Sequence, residues 1–244
     1  MKKTLKILRR KAPEEDPYYQ SFPYETQDEG ATVATALMEI STASDLAWEH
    51  SCLQKKCGAC AMIVDGKPVL ACDTRLSDCP GETVIIEPLR KFPVIRDLLV
   101  DRSAVTDKLR ALKAYPLEVT DQEWVRSPRQ TARAGKKDET AYEASRCIQC
   151  GLCLEVCPNY YREGNFGGMA AMAPLSRLMA KDEREELRDS YRKYVYEGCG
   201  KSLACRDVCP AGIDMDRLLS RNAGEILFGK WFRRKDQEKS SGGK

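Results

Sequence analysis

Histidine is nearly missing from this sequence: there is one residue, His50, in 244. A centre that needs several imidazoles, such as a His-rich zinc site, a bis-histidine haem or a Rieske cluster, is therefore excluded for the chain by itself. Aromatic residues are few, at 7%, and they do not interleave with the basic residues in the way that stacks nucleic-acid bases. An excess of one charge is also lacking. Lys+Arg of 40 against Asp+Glu of 37 leaves a formal +3, which excludes a strongly basic nucleic-acid binder and an acidic disordered chain. No apolar run approaches the ~20 residues of a membrane-spanning helix. The richest runs, at 61–64 and 169–173, are far shorter. Arg9-Arg10 is followed by Lys-Ala-Pro-Glu-Glu-Asp and not by an apolar segment. No export signal or transmembrane helix is expected, and the expected address is cytoplasmic.

Cysteine is what the chain has in quantity, with 12 residues. In a reducing compartment that number points to metal binding rather than to disulfides. The first group, Cys52-x4-Cys57-x2-Cys60 and then Cys72 after a further stretch, has the plant-type spacing of a [2Fe-2S] cluster. Gly58 and Ala59 are small enough for the backbone to wrap close to inorganic sulfide. Zinc sites favour paired C-x2-C units, which the wide first gap suits poorly.

The second group, Cys147-x2-Cys150-x2-Cys153-x3-Cys157-Pro158, is a run whose fourth cysteine serves a different cluster. A partner motif is therefore required, and Cys199-x5-Cys205-x3-Cys209-Pro210 supplies it, with Ser202 where a full motif would place cysteine. Crossing the ligands predicts a [4Fe-4S] cluster on Cys147, Cys150, Cys153 and Cys209. It predicts a [3Fe-4S] cluster on Cys157, Cys199 and Cys205. Ligation of a fourth iron by Ser202 is the lesser alternative, because an alkoxide is a hard ligand for such a centre. Cys79 fits neither group and is read as a free thiol. His50, two residues before Cys52, is read as an ordinary loop residue, the alternative being that its titration tunes the cluster.

Along the chain, 1–102 reads as β-rich with one helix. Residues 5–8 and 18–24 alternate like strands, 32–40 has a capping threonine and a helical apolar spacing, and Asp65-Gly66 joins strands 61–64 and 68–71 in a hairpin. A further strand is expected at 83–86. From residue 94 the spacing of Val94, Ile95, Leu98 and Leu99 predicts helix, continued by Val105, Leu109 and Leu112. The second domain, 103–244, is expected to be helical. It should carry an exposed basic loop at 126–140, amphipathic helices at 184–196 and 215–227, and a disordered C-terminal tail from Arg233.

The order of the three motifs, together with 32–37, Ser51-Cys52, Cys57-Gly-Ala-Cys60-Ala-Met and Pro93-Val-Ile-Arg-Asp-Leu, resembles the iron–sulfur subunit of succinate dehydrogenase and fumarate reductase over nearly the whole chain. The resemblance implies an α+β protein: an N-terminal β-grasp, plant-type ferredoxin domain followed by an all-α helical ferredoxin-like domain. It implies a non-catalytic electron-transfer subunit of a succinate:quinone or quinol:fumarate oxidoreductase. Electrons would pass between a flavoprotein subunit carrying FAD and a quinone at a membrane anchor, with the chain peripheral on the cytoplasmic face of the membrane. The [2Fe-2S] end would face the flavin and the [3Fe-4S] end the quinone. Pro158, Tyr161 and Ser202 become quinone-proximal candidates.

The sequence departs from that pattern at several places. Asn159-Tyr160-Tyr161-Arg162 stands where many relatives carry tryptophans, and Gly200 where they carry histidine. The Cys-Gly-x-Ser-x-x-Cys form is similar to relatives that pair menaquinone with a di-haem cytochrome b, placing haem b on the anchor subunit. Lys55 stands where the family more often has glycine. An electron-wire subunit of another flavoprotein oxidoreductase, glycolate-oxidase-like or thiol:fumarate-reductase-like, is the alternative; the absence of any Cys-Cys pair speaks against the thiol version. A zinc-stabilised adaptor is the remote one. Neither nucleic acid nor a second chemistry is called for.

Overall fold

The computed structural model describes residues 1–114, 136–180 and 184–241. The N-terminal part is a five-stranded sheet in the order β2-β1-β5-β3-β4. Strands β1 (Lys2–Arg9) and β2 (Tyr18–Glu25) pair antiparallel, while β1 and β5 (Thr83–Glu87) run parallel. Strands β3 (Ala61–Val64) and β4 (Lys67–Leu70) form the hairpin, and β3 also pairs antiparallel with β5. Alternation decides which face is covered. Leu5 and Ile7 stand in register with Val84 and Ile86, and all four are fully buried. The hairpin turns through Asp65 and Gly66, both with positive φ (47° and 77°), the conformation that a two-residue turn between twisted strands requires.

Helix α1 (Val33–Ala43) lies against this sheet through Val33, Leu37 and Ile40. Its start is fixed by a capping box: the Thr32 hydroxyl accepts from the Thr35 N–H, and the Thr32 N–H donates back to the Thr35 hydroxyl. Together these elements make the β-grasp arrangement.

Residues 94–100 differ from the helix that their spacing predicts. They form a short hairpin, β6 (Val94–Arg96) and β7 (Leu99–Val100), and helix α2 begins only at Ser103 (Ser103–Ala111). The cause is Asp97, buried at the hairpin corner with φ 49°. Its carboxylate accepts from Arg9 Nε at 2.9 Å and from the Arg10 and Ala47 backbone N–H groups at 3.1 and 2.9 Å. Its own N–H donates to the Arg10 carbonyl at 2.7 Å. These partners outbid a helix whose apolar residues could be buried either way.

The C-terminal part is helical. It comprises α3 (Lys136–Ser145), the single turn α4 (Leu152–Glu155), α5 (Gly168–Met179), α6 (Glu185–Tyr191), α7 (Ala204–Asp207) and α8 (Met215–Ser241). Residues 126–135 of the expected loop lie outside the described residues, while 136–140 are helical. The amphipathic helix expected at 184–196 is split: α6 ends at Tyr191 and a wider π turn carries Arg192–Tyr196. Instead of the tail expected from Arg233, α8 continues to Ser241. The Arg, Lys, Gln and Glu residues of that stretch are good helix formers. Among the described residues no helix is long and apolar enough to cross a membrane.

The two parts share a core. Leu152, Leu154, Tyr160 and Ala170 pack into the same buried cluster as Leu89, Phe92 and Leu98.

Candidate metal centres

The loop after Ser51 has a backbone unlike ordinary coil. Leu53, Lys55 and Gly58 all have positive φ (51°, 60° and 75°), and this alternation turns successive N–H groups to one side. Gln54 and Lys56 donate to Cys52 Sγ and Lys55 donates to Cys72 Sγ, each at 3.3 Å. Cys72 arrives from the 3-10 turn Ala71–Asp73 that ends β4, and the Ala71 N–H holds that turn on the Cys60 carbonyl at 3.0 Å. A second tie is ionic: Lys55 Nζ lies 2.6 Å from Asp73 Oδ2. The N–H groups of Gln54 and Lys56 pull the Cys52 thiol down to about 7, a value at which thiolate is already abundant near neutrality. Burial, with Cys72 alongside, pushes the Cys60 thiol up instead. Donors aimed at sulfur are what a group with thiolate and sulfide charge requires, so Cys52, Cys57, Cys60 and Cys72 fit a [2Fe-2S] cluster.

His50 stacks on Trp48 with centroids 4.4 Å apart. Cys79 is buried, its Sγ 3.5 Å from the Arg75 carbonyl.

In the helical part the remaining thiols ring two cavities. One, of about 20 Å³, is lined by Cys147, Cys150, Cys153 and Cys209, with Met169, Ala173 and Ile213 as its apolar wall. The other, of about 30 Å³, is lined by Cys157, Cys199, Cys205 and Ser202, with Cys153 on its near side. Among the described residues no three such donors close on a single ion. Burial pushes Cys150 and Cys205 up to about 11 and Cys153 well above its ordinary range. Thiols this poorly solvated release their protons when iron takes its place, so the donor set fits clusters that supply their own positive charge.

The two parts meet at the thiols themselves. A Cβ on Gly58 would stand 2.7 Å from Cys150 Cβ and 3.2 Å from the Ile148 carbonyl oxygen, so glycine alone lets the first loop touch the second motif. Arg102, at the domain boundary, clasps both loops. Its Nη1 donates to the Gly58 and Cys150 carbonyls at 3.0 and 3.3 Å, and its Nη2 donates to the Ala59 carbonyl at 3.0 Å while pairing with Glu49.

Of the quinone-proximal candidates, Ser202 lines the second cavity. Pro158 and Tyr161 are exposed and do not line it, and the Tyr161 carbonyl is held by Lys108 Nζ at 3.2 Å. Asn159 takes the place above Gly200: its Nδ2 donates to the Gly198 carbonyl at 2.7 Å, and a Cβ at Gly200 would approach it to 3.0 Å. Arg102, Gln149 and the Lys55–Asp73 pair escape sequence reasoning, since their partners are carbonyls and thiols far away in the chain. Lys55 alone leaves a trace, as a lysine in a glycine position.

The chain matches the family model of a 2Fe-2S iron–sulfur cluster binding domain over residues 4–107 and that of a 4Fe-4S dicluster domain over residues 143–213. Fold and thiols together define a two-part iron–sulfur protein of the ferredoxin kind.

Similar curated proteins narrow that class. The succinate dehydrogenase iron–sulfur subunit of Bacillus subtilis is 34% identical over 247 residues, spanning 93% of this chain and 94% of that one. The fumarate reductase iron–sulfur subunit of Haemophilus influenzae is 31% identical over 231 residues and 89% of each chain. A chain of the solved Mycobacterium smegmatis Sdh1 complex in the apo form matches with a TM-score of 0.77 at 25% identity, covering 94% of this chain and 97% of that chain. The chain belongs to the family of succinate dehydrogenase and fumarate reductase iron–sulfur subunits.

Proposed function

We propose that the chain is the electron-transfer subunit of a succinate dehydrogenase or fumarate reductase complex. Its ligand sets are Cys52, Cys57, Cys60 and Cys72 for [2Fe-2S], Cys147, Cys150, Cys153 and Cys209 for [4Fe-4S], and Cys157, Cys199 and Cys205 for [3Fe-4S]. Its partners are a flavoprotein subunit bearing FAD and a membrane anchor, a cytochrome b with menaquinone, which holds the chain at the cytoplasmic face of the membrane. The carrying observation is continuity: Gly58 touches Cys150, and Cys153 borders both cavities. When bound, each cluster supplies one-electron redox chemistry. The chain supplies the rest. Backbone N–H groups at 54–56 offset thiolate charge, Arg102 fixes the first loop on the second motif, and apolar walls keep water from the buried thiols. No nucleophile or acid–base pair is needed, because nothing but electrons is moved.

The test is anaerobic isolation with metal analysis and EPR. About nine iron atoms per chain are expected from clusters of two, four and three, with a [3Fe-4S] signal in the oxidised state. A tagged chain drawn from native membranes should bring a flavin-bearing polypeptide with it. About four irons, or zinc in their place, would overturn the proposal.

A further inference from the structure

Gln149 lies between two proposed ligands, Cys147 and Cys150, and takes no part in the scheme above. Its backbone has φ 53°, a left-handed conformation uncommon for a side chain of this size. That conformation accompanies a two-point contact. Nε2 stands 3.3 Å from Cys147 Sγ and 3.1 Å from the Ala170 carbonyl oxygen.

The Ala170 carbonyl is available for a definite reason. It lies in the first turn of α5, where an α-helix would bond it to the N–H of the residue four further on. That residue is Pro174, inside the helix, and proline has no N–H. The glutamine amide takes the freed carbonyl, and its second N–H is left directed at the sulfur. The reverse orientation of the amide would set its oxygen against two acceptors and lose both bonds. Oε1 is buried with no partner, a cost accepted so that the NH2 group faces the sulfur.

We infer that Gln149 sets the reduction potential of the [4Fe-4S] site through an N–H···S bond to Cys147, with the carbonyl freed by Pro174 holding the amide in line. Hydrogen bonds to cluster sulfurs are a lever on potential. A donor on a thiolate favours the reduced, more negative state, and the apolar wall around this cavity screens the effect little. The inference rests on the cluster reading proposed above.

The experiment is an EPR-monitored redox titration of the assembled complex for Gln149→Leu and, separately, Pro174→Ala. Gln149→Leu is expected to lower the reduction equilibrium of the [4Fe-4S] cluster about tenfold, a downward shift of about 59 mV for a one-electron couple, with the other two potentials unmoved. Pro174→Ala returns a backbone N–H to Ala170 and leaves every thiol and Gln149 in place. It should shift the same potential downward by a smaller amount. An intact [4Fe-4S] cluster at the wild-type potential in Gln149→Leu overturns the inference. Should that variant fail to hold its cluster, Pro174→Ala decides: a lowered potential upholds the inference and an unmoved one overturns it. A wild-type complex without a [4Fe-4S] signal would instead sink the cluster reading beneath it.

Discussion

Replacing Gly58 by alanine tests the contact on which the continuity of the proposed wire depends. Two costs combine. The residue has φ 75°, and an L side chain in the left-handed region costs roughly 1–2 kcal/mol. The new methyl would also meet Cys150 Cβ at 2.7 Å, Cys150 Cα at 2.9 Å and the Ile148 carbonyl oxygen at 3.2 Å. Two of these atoms are backbone and the third is bonded to it, so no flexible side chain can swing away; overpacking of this kind costs about 1–3 kcal/mol. The expected loss for Gly58→Ala is therefore ~2–5 kcal/mol. Gly66→Ala isolates the first cost. Its φ is 77°, yet a Cβ there meets nothing within 4 Å, so it should lose only ~1–2 kcal/mol. The assay is urea unfolding of the holoprotein, followed by near-ultraviolet circular dichroism and by visible absorbance of the clusters. The two variants are compared under identical conditions, since cofactor-bearing proteins depart from two-state unfolding. Equal losses in the two variants would refute the claim that the first loop bears directly on the second motif.

Ser202→Cys adds a fourth thiol to the cavity lined by Cys157, Cys199 and Cys205; the [3Fe-4S] EPR signal should give way to a [4Fe-4S] centre of lower potential, and an unchanged signal would count against the ligand alignment. Asp97→Ala leaves the buried Arg9 guanidinium without its chief partner and should cost ~3–5 kcal/mol in urea unfolding, whereas a loss under ~1 kcal/mol would show the network to be dispensable. Burial holds the Cys79 thiol above its ordinary range, so the unfolded chain ionises first. The stabilisation by the neutral thiol is complete below the unfolded value of about 8.5 and is lost as pH rises through the folded one. Cys79→Ala should flatten that alkaline decline in holoprotein stability, and identical pH profiles would argue against it.

Strands β1, β2, β3 and β4 and helix α1 were legible in the sequence because local rules set them: alternation at Leu5 and Ile7, an Asp-Gly turn, a threonine cap. The hairpin at 94–100 was not, because Asp97 answers to Arg9, 88 positions away in the chain, and no window of residues contains both. The proposed ligand sets could be written down from cysteine order alone, since cluster spacing is itself a local signal. What surrounds them was hidden. Arg102 reads as one more surface cation until Gly58, Ala59 and Cys150 come under it, and Gln149 looks like filler until Pro174 empties a carbonyl beside it. The long final helix was misread for the opposite reason, its charged residues signalling disorder while favouring helix.

The proposed crossing of Cys209 back to the motif around Cys147 also has a consequence for biosynthesis. Every ligand of the proposed [2Fe-2S] site lies within the first half of the chain, so that site is complete soon after that half leaves the ribosome. Cys147, Cys150 and Cys153 emerge next, but the fourth ligand proposed for them, Cys209, follows only later. At ~5–20 residues per second that is a wait of roughly 3–11 s. During those seconds three closely spaced thiols stand uncapped. With the proposed ligand sets, the order of the cysteines thus defines an interval in each molecule's birth in which these thiols lie open to oxidants and to stray metal.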